Sequence, residues 1–279
     1  MQKRNAKLSL QVSRWLIPLA ALIVLIGWLS FTPPGILGKA DAIGYAVCHR
    51  IGVRSFHIGT RQLPMCARDT GTFTGAALVL LIQAIIGHKR AGMPRKSILV
   101  LMGVLAAAWG LDGSNSYLYL IKQTTPGFLD HIPNLYTPNN TLRLLTGSGM
   151  GLAMASILFP LFNQTVWRTP DPLPVLNKWK RVGALIAVLL LMDMGVLSGL
   201  PVILYPVALI SAGGVMVMLT LIFAVLWVTL MGQENAYETL PQLWLPLLAG
   251  FTLALILITA IDLFRLRATG TWEGFSIGQ

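Results

Sequence analysis

The chain has 279 residues, 55% of them hydrophobic and only 11% charged, with a mean hydropathy of +0.70. These values exclude an ordinary soluble domain and describe a polytopic membrane protein whose helices are solvated by lipid. A net charge of +11 would suggest nucleic acid in a soluble protein, but the basic residues fall mainly in short gaps between apolar runs, so membrane topology accounts for them and no nucleic-acid partner is expected.

In chain order, seven runs reach the length needed to cross a bilayer, at about 15–32, 70–87, 98–121, 142–163, 182–200, 205–231 and 243–264. The expected fold class is all-α, a polytopic transmembrane helix bundle of about seven spans. The first run, preceded by Lys3, Arg4 and Lys7, superficially resembles a signal peptide. It is followed by Ser-Phe-Thr-Pro-Pro-Gly with no small-x-small cleavage site, so it reads as an uncleaved helix. Between the fifth and sixth runs, Pro201 and Pro206 mark either a tight hairpin or kinks that would make the count six or eight. The organisation expected is an N-terminal membrane region, 1–163, carrying a motif-bearing external loop, and a C-terminal helical membrane region, 164–279.

Orientation follows from the charges in alternate gaps. Lys3, Arg4, Lys7 and Arg14 precede the first helix; Lys89, Arg90, Arg95 and Lys96 separate the second and third; Arg168, Lys178, Lys180 and Arg181 separate the fourth and fifth. The positive-inside rule puts these clusters in the cytoplasm, with the N-terminus on the inner side. The segment from Ala46 to Gly75 then starts outside, yet Lys39, Arg50, Arg54, Arg61 and Arg68 all lie in or beside it, against the rule. Asp41, Asp69, Asp112, Asp130, Asp193, Asp262 and Glu273 fall on the same side or in the outer halves of helices. Intramembrane carboxylates need partners, so arginine and aspartate are expected to meet at one face.

The second and fourth helices begin on that face with "CARDTGTFTG" and "PNNTLRLLTGSGMG". Free N–H groups, the helix dipole and a guanidinium fork suit a phosphate or carboxylate, which makes Arg68 and Arg143 first candidates for ligand contacts. The alternative is ordinary capping by Asp69 or Thr70 and by Asn140 or Thr141. Arg54 and Arg61 join the candidate anion site, with Asp112 as organiser and Asn115 and Asn140 as further polar contacts. Gly71 with Gly75, and Gly147 with Gly151, have the small-xxx-small spacing of close helix packing.

Three readings of the two cysteines stay open. A Cys48–Cys66 disulfide suits an oxidising compartment. A metal ion could be held by Cys48, His49, Cys66 and Asp69, with His57 and His131 in reserve. Thiol–disulfide chemistry prefers a C-x-x-C pair, and here the second position is Asp69. His88, beside Lys89 and Arg90, reads as a headgroup contact on the cytoplasmic side.

The ordered pattern Cys48-His49-Arg50, Arg54-Ser55-Phe56, Gln62-Leu63-Pro64-x-Cys66-Ala67-Arg68-x-Thr70-Gly71, then Asp112-Gly113 and Asn140-x-Leu142-Arg143-x-x-Thr146-Gly147 resembles a family of uncharacterised prokaryotic membrane proteins, domain of unknown function 2085. The resemblance covers about 41–151 and implies a multi-pass membrane protein without supplying an activity. Many members of the family carry cysteine where this chain has Asp69, a departure that weakens a thiol-pair mechanism and spares an anion or metal site. The last three helices look like an extension.

The leading expectation is a membrane protein that binds, and in one version translocates, an anionic ligand such as a lipid phosphate at an outer-leaflet polar pocket. Its rivals are an extracytoplasmic metal- or thiol-dependent enzyme and a structural subunit with a membrane-complex partner or a second copy of itself. The chain carries no nucleotide-binding loop and no C-x-x-C-H haem site, which argues against an energy-driven pump.

Overall fold

A computed structural model describes the backbone of residues 2–274 and the side chains of residues 14–274; those of Lys3, Arg4 and Lys7 lie outside the described residues. The chain runs α1 (Gln2–Phe31), α2 (Ile36–Val47), a hairpin of β1 (Ser55–Ile58) and β2 (Arg61–Cys66), α3 (Ala67–Gly87), β3 (Arg90–Gly92) and α4 (Lys96–Thr124). It continues through α5 (Asn140–Val166), β4 (Asp171–Pro174), α6 (Trp179–Leu197), α7 (Pro201–Leu230) and α8 (Trp244–Thr269). Among the described residues six helices, α1, α3, α4, α5, α7 and α8, are long and apolar enough to cross a bilayer. Helix α6, with 19 residues, accompanies them and carries Lys180, Arg181 and Asp193. The seven expected runs therefore each correspond to one long helix. Between α6 and α7 the chain makes a tight hairpin, with Gly199 at φ +70° and Pro201 opening α7, where its missing N–H costs no helical bond.

Successive long helices alternate in direction, and their connections gather at two faces. On the basic face β3 pairs in parallel with β4, Arg90 opposite Asp171. Trp167 bridges to Tyr237, and Lys89 donates to the Glu238 carbonyl at 2.6 Å. The gaps that carry the Lys89 and Lys178 clusters are thus joined. On the opposite face, called the motif face, Tyr45 hydroxyl contacts Thr269 at the end of α8 and the Thr271 carbonyl just beyond it, and Asn140 donates to the Val53 carbonyl at 3.3 Å.

Two elements of this face lie outside the seven runs. Helix α2 has 12 residues, about 18 Å at 1.5 Å per residue, too short to span. The hairpin that follows turns at Gly59 (φ +60°) and aligns Ser55 with Cys66. Neither shows a long apolar run, because each covers the bundle instead of crossing lipid.

Packing is closest between α3 and α5. A Cβ at Gly71 would run into the Leu144 carbonyl, one at Gly147 into the Arg68 carbonyl and one at Gly151 into the Thr72 carbonyl. The small-xxx-small spacing therefore works as a contact surface in which backbones touch. Helix α7 seats against α3 in the same way, at Gly214 against the Phe73 carbonyl. Helix α4 packs chiefly on α5 and turns Val100, Val104 and Leu111 outward, as lipid-facing residues do.

Candidate functional site

The α3–α5 contact fixes where α3 starts and, with it, Arg68 in its first turn. The Arg68 guanidinium reaches α4 and pairs with Asp112, which is only 1% exposed: Nε donates to Oδ2 at 3.1 Å and Nη2 donates to the same oxygen. Tyr136 hydroxyl donates to Asp112 Oδ1 at 2.6 Å, and Thr146 hydroxyl stands 3.5 Å from Oδ2. Arg68 Nη2 also donates to Ser116 Oγ at 3.2 Å, while the Ser116 carbonyl accepts Arg54 Nη2 at 3.0 Å. The carboxylate is thus satisfied from three directions, as a buried charge requires.

Asparagines place the surrounding loops. Asn115 Oδ1 accepts the Leu135 N–H at 2.9 Å and Asn134 Nδ2 at 3.2 Å, and its own Nδ2 donates to the Tyr136 carbonyl at 3.0 Å. This folds segment 125–139 over the end of α4 and aims Tyr136 at Asp112. Asn140 holds Val53 on one side and accepts Arg143 Nη1 at 2.8 Å on the other. The caps differ from those expected. Asn139, not Asn140 or Thr141, caps α5 by accepting the Leu142 N–H at 2.9 Å. Cys66 occupies the N-cap of α3 without a side-chain capping bond, so neither Asp69 nor Thr70 is the N-cap.

Arg143 is 6% exposed, and its Nε makes no hydrogen bond. Arg54, Arg68 and Arg143 lie within electrostatic reach of one another and of Asp112. Burial lowers the pKa of Arg54, and burial followed by the bond to Asp112 pushes Tyr136 up to about 12. Arg61 belongs to a different pair: it meets Asp41 on α2, which also binds Arg50 at 3.1 Å. Burial raises Asp41 despite those two arginines. The remaining intramembrane carboxylates are not joined to this centre. Asp193 accepts Ser148 hydroxyl at 2.6 Å, and Asp262, fully buried on α8, lies beside Trp28 and Arg265.

Beside the arginine centre a groove of about 630 Å³ runs along α4, bordered by Arg68, Trp109, Gly110, Gly113, Ser114 and Tyr117. Gly113 presents no side chain there, and a Cβ at that position would lie 3.5 Å from Arg68 Nη1. A second, apolar cavity of about 350 Å³ lies at the basic face, where His88 and Trp167 meet edge to face at 6.3 Å.

Cys48 and Cys66 are free thiols with their sulfurs 2.9 Å apart. Cys48 S–H donates to Cys66, which draws the Cys66 thiol down to about 7, while the same bond and burial push Cys48 well above its usual value. The Asp69 carboxylate completes a group of three metal-competent donors within 4.8 Å of one another. Asp69 feels the charge of His49, but His49, His57 and His131 are not in that group.

A lipid-facing bundle with a charged centre near one end defines a multi-pass helical membrane protein. Residues 48–157 match the family model described as "Predicted membrane protein (DUF2085)", so this region of the chain is similar to that family. The match contains every candidate site residue and ends within α5; α6, α7 and α8 lie beyond it. No curated protein and no solved structure matches the chain.

The candidate residues Arg54, Arg68, Asp112, Asn115, Asn140 and Arg143 come together, whereas Arg61 goes with Asp41. Tyr136 and Ser116 were absent from the expected set. Tyr136 lies in a Pro- and Asn-rich loop with no periodicity to single it out. Ser116 stands one helical turn after Asp112, and that spacing was the available signal.

Proposed function

We propose that the motif face binds the phosphate of a membrane lipid. The observation that carries this reading is the charge imbalance around Asp112. Three guanidiniums share the neighbourhood of that carboxylate, and only Arg68 forms an ion pair with it. Arg54 and Arg143 are held by neutral acceptors, the Ser116 carbonyl and the Asn140 amide oxygen. Like charges brought together in a poorly polarisable setting repel one another, and an anion converts that repulsion into attraction. Arginine forks match phosphate oxygens two at a time.

The groove along α4 supplies the approach. It ends on Arg68, is left open at Gly113, and lies on a helix whose outward residues face lipid. A lipid can therefore enter sideways from the bilayer, headgroup against the arginines and chains along α4. Asp112, Asn115 and Asn140 act as positioning residues, and Arg61 adds only to the local positive field. With the basic clusters inside, this is an outer-leaflet site and the N-terminus is cytoplasmic.

The test is native mass spectrometry of protein extracted with its lipids, comparing wild type with Arg54→Lys, Arg143→Lys and Gly113→Leu. The reading expects a retained phospholipid or isoprenoid-phosphate adduct that each change weakens at least tenfold, with thermal stability nearly unchanged. An adduct retained equally by all four proteins, or none in wild type, overturns it.

A further inference from the structure

We propose that Cys48, Cys66 and Asp69 form a binding site for a thiophilic divalent cation, Zn²⁺ by its chemistry, at the junction of α2, β2 and α3. This site is separate from the lipid reading and does not depend on it. Its donors come from two stretches of chain. Cys48 ends α2, its N–H bonded to the Gly44 carbonyl at 2.8 Å, and Cys66 ends β2 and opens α3. Asp69 follows three residues later, a spacing that returns it to the same side of the first helical turn. Arg265 of α8 donates to the Cys48 carbonyl at 2.7 Å, and the hairpin register holds Cys66 opposite Ser55. The donors are therefore fixed by the fold.

The surroundings of Cys48 point to a bound thiolate independently of the donor cluster. Cys48 is 3% exposed, yet two backbone N–H groups are directed at its sulfur, from Arg50 at 3.3 Å and from Cys66 at 3.2 Å. Amide donors of this kind support a ligating thiolate from outside the coordination sphere. Three acidic donors within 4.8 Å of one another repel when ionised, and a dication relieves all three at once. Two sulfurs exclude Mg²⁺ and Ca²⁺ as preferred occupants and favour Zn²⁺.

A tetrahedral zinc with bonds of about 2.3 Å to sulfur separates its thiolates by roughly 3.8 Å. The sulfurs, now 2.9 Å apart, need to open by less than about 1 Å to reach that separation. Binding releases the two thiol protons to solvent and forms two Zn–S bonds and one Zn–O bond. Three protein ligands leave the fourth position to water, the arrangement of zinc sites that remain open to a substrate.

The full chain, purified without chelators, is to be analysed for metal content; the metal-free protein is then titrated with Co²⁺ and its visible spectrum recorded. The expected result is about one zinc per chain and, with cobalt, the thiolate charge-transfer and tetrahedral ligand-field bands. Asp69→Asn should weaken cobalt binding at least tenfold and Cys48→Ser should remove the charge-transfer intensity of one sulfur. Asp69→Cys should restore tight binding with a third sulfur. Two wild-type results overturn the proposal even if every variant misfolds: thiols that titrate as free with no zinc bound and no cobalt thiolate band, or a Cys48–Cys66 disulfide found by non-reducing peptide mapping.

Discussion

Removing the Arg68 guanidinium takes away the one ion-pair partner of a buried carboxylate. In Arg68→Ala, Asp112, 1% exposed with the arginine in place, loses both arginine bonds and keeps the Tyr136 hydroxyl, 2.6 Å from Oδ1 in the wild-type chain, as its partner. Breaking a buried ion pair costs about 3–5 kcal/mol. The surviving bond from Tyr136, of a type worth about 1.5–3 kcal/mol, keeps the loss near the lower end, about 3 kcal/mol. Asp112→Asn in the same chain removes the stranded charge while its amide oxygen still accepts from Tyr136, so the double variant should fall only about 1 kcal/mol below wild type, the scale of one neutral hydrogen bond. The assay is equilibrium unfolding in mixed micelles followed by tryptophan fluorescence, with the four proteins of the cycle measured together. Coupling of about 2 kcal/mol or more between the two changes is expected. Effects that add to within about 0.5 kcal/mol would refute the ion pair as the tie between α3 and α4.

Gly147→Ala should destabilise the bundle by on the order of 1–3 kcal/mol, because its Cβ meets the Arg68 carbonyl. Gly103→Ala, where the space is open, should not, and equal effects in the same unfolding assay would contradict the α3–α5 contact. In metal-free protein Cys66 should alkylate with a midpoint near pH 7, because Cys48 donates to its sulfur and stabilises the thiolate; Cys48 itself should stay protonated and react far more slowly. Equal rates for the two thiols by peptide mapping would count against that hydrogen bond. In a background lacking both native cysteines, Thr137→Cys should react with an impermeant maleimide from outside, while His88→Cys and Pro172→Cys should not. The opposite pattern would invert the membrane orientation.

Much of the bundle was legible in the sequence because lipid imposes a simple rule: a crossing segment must be apolar for about 20 residues. That rule located the seven long helices, while Pro201 and Pro206 left a hairpin or kinks open, and the structure makes the hairpin. The rule is silent about α2 and the β1–β2 hairpin, which are short and cover other protein. The meeting of arginine and aspartate followed from the cost of lone intramembrane charges, and Arg68 with Asp112 fulfils it. The same rule did not separate Arg61 from the centre, because its pairing with Asp41 depends on how α2 lies beside the hairpin. Asn139 and Asn140 are equivalent as residues, and only the path of the chain decides that the first caps α5 and the second holds Arg143.

The order of charged residues along the chain has a consequence for biosynthesis. Arg68 on α3 emerges from the ribosome before Asp112 on α4, and Arg143 on α5 follows both. An aspartate at mid-helix resists membrane insertion by about 2.5–3.5 kcal/mol. When α4 reaches the translocon, its counter-charge is already waiting on the preceding span. Helices α3 and α4 can therefore enter lipid as a charge-neutralised pair, and α5 then closes against α3 along glycines that need no polar partner. A chain lacking the Arg68 guanidinium would bring Asp112 to the translocon without that counter-charge on the preceding span, so its yield of correctly inserted protein should fall along with its folded stability.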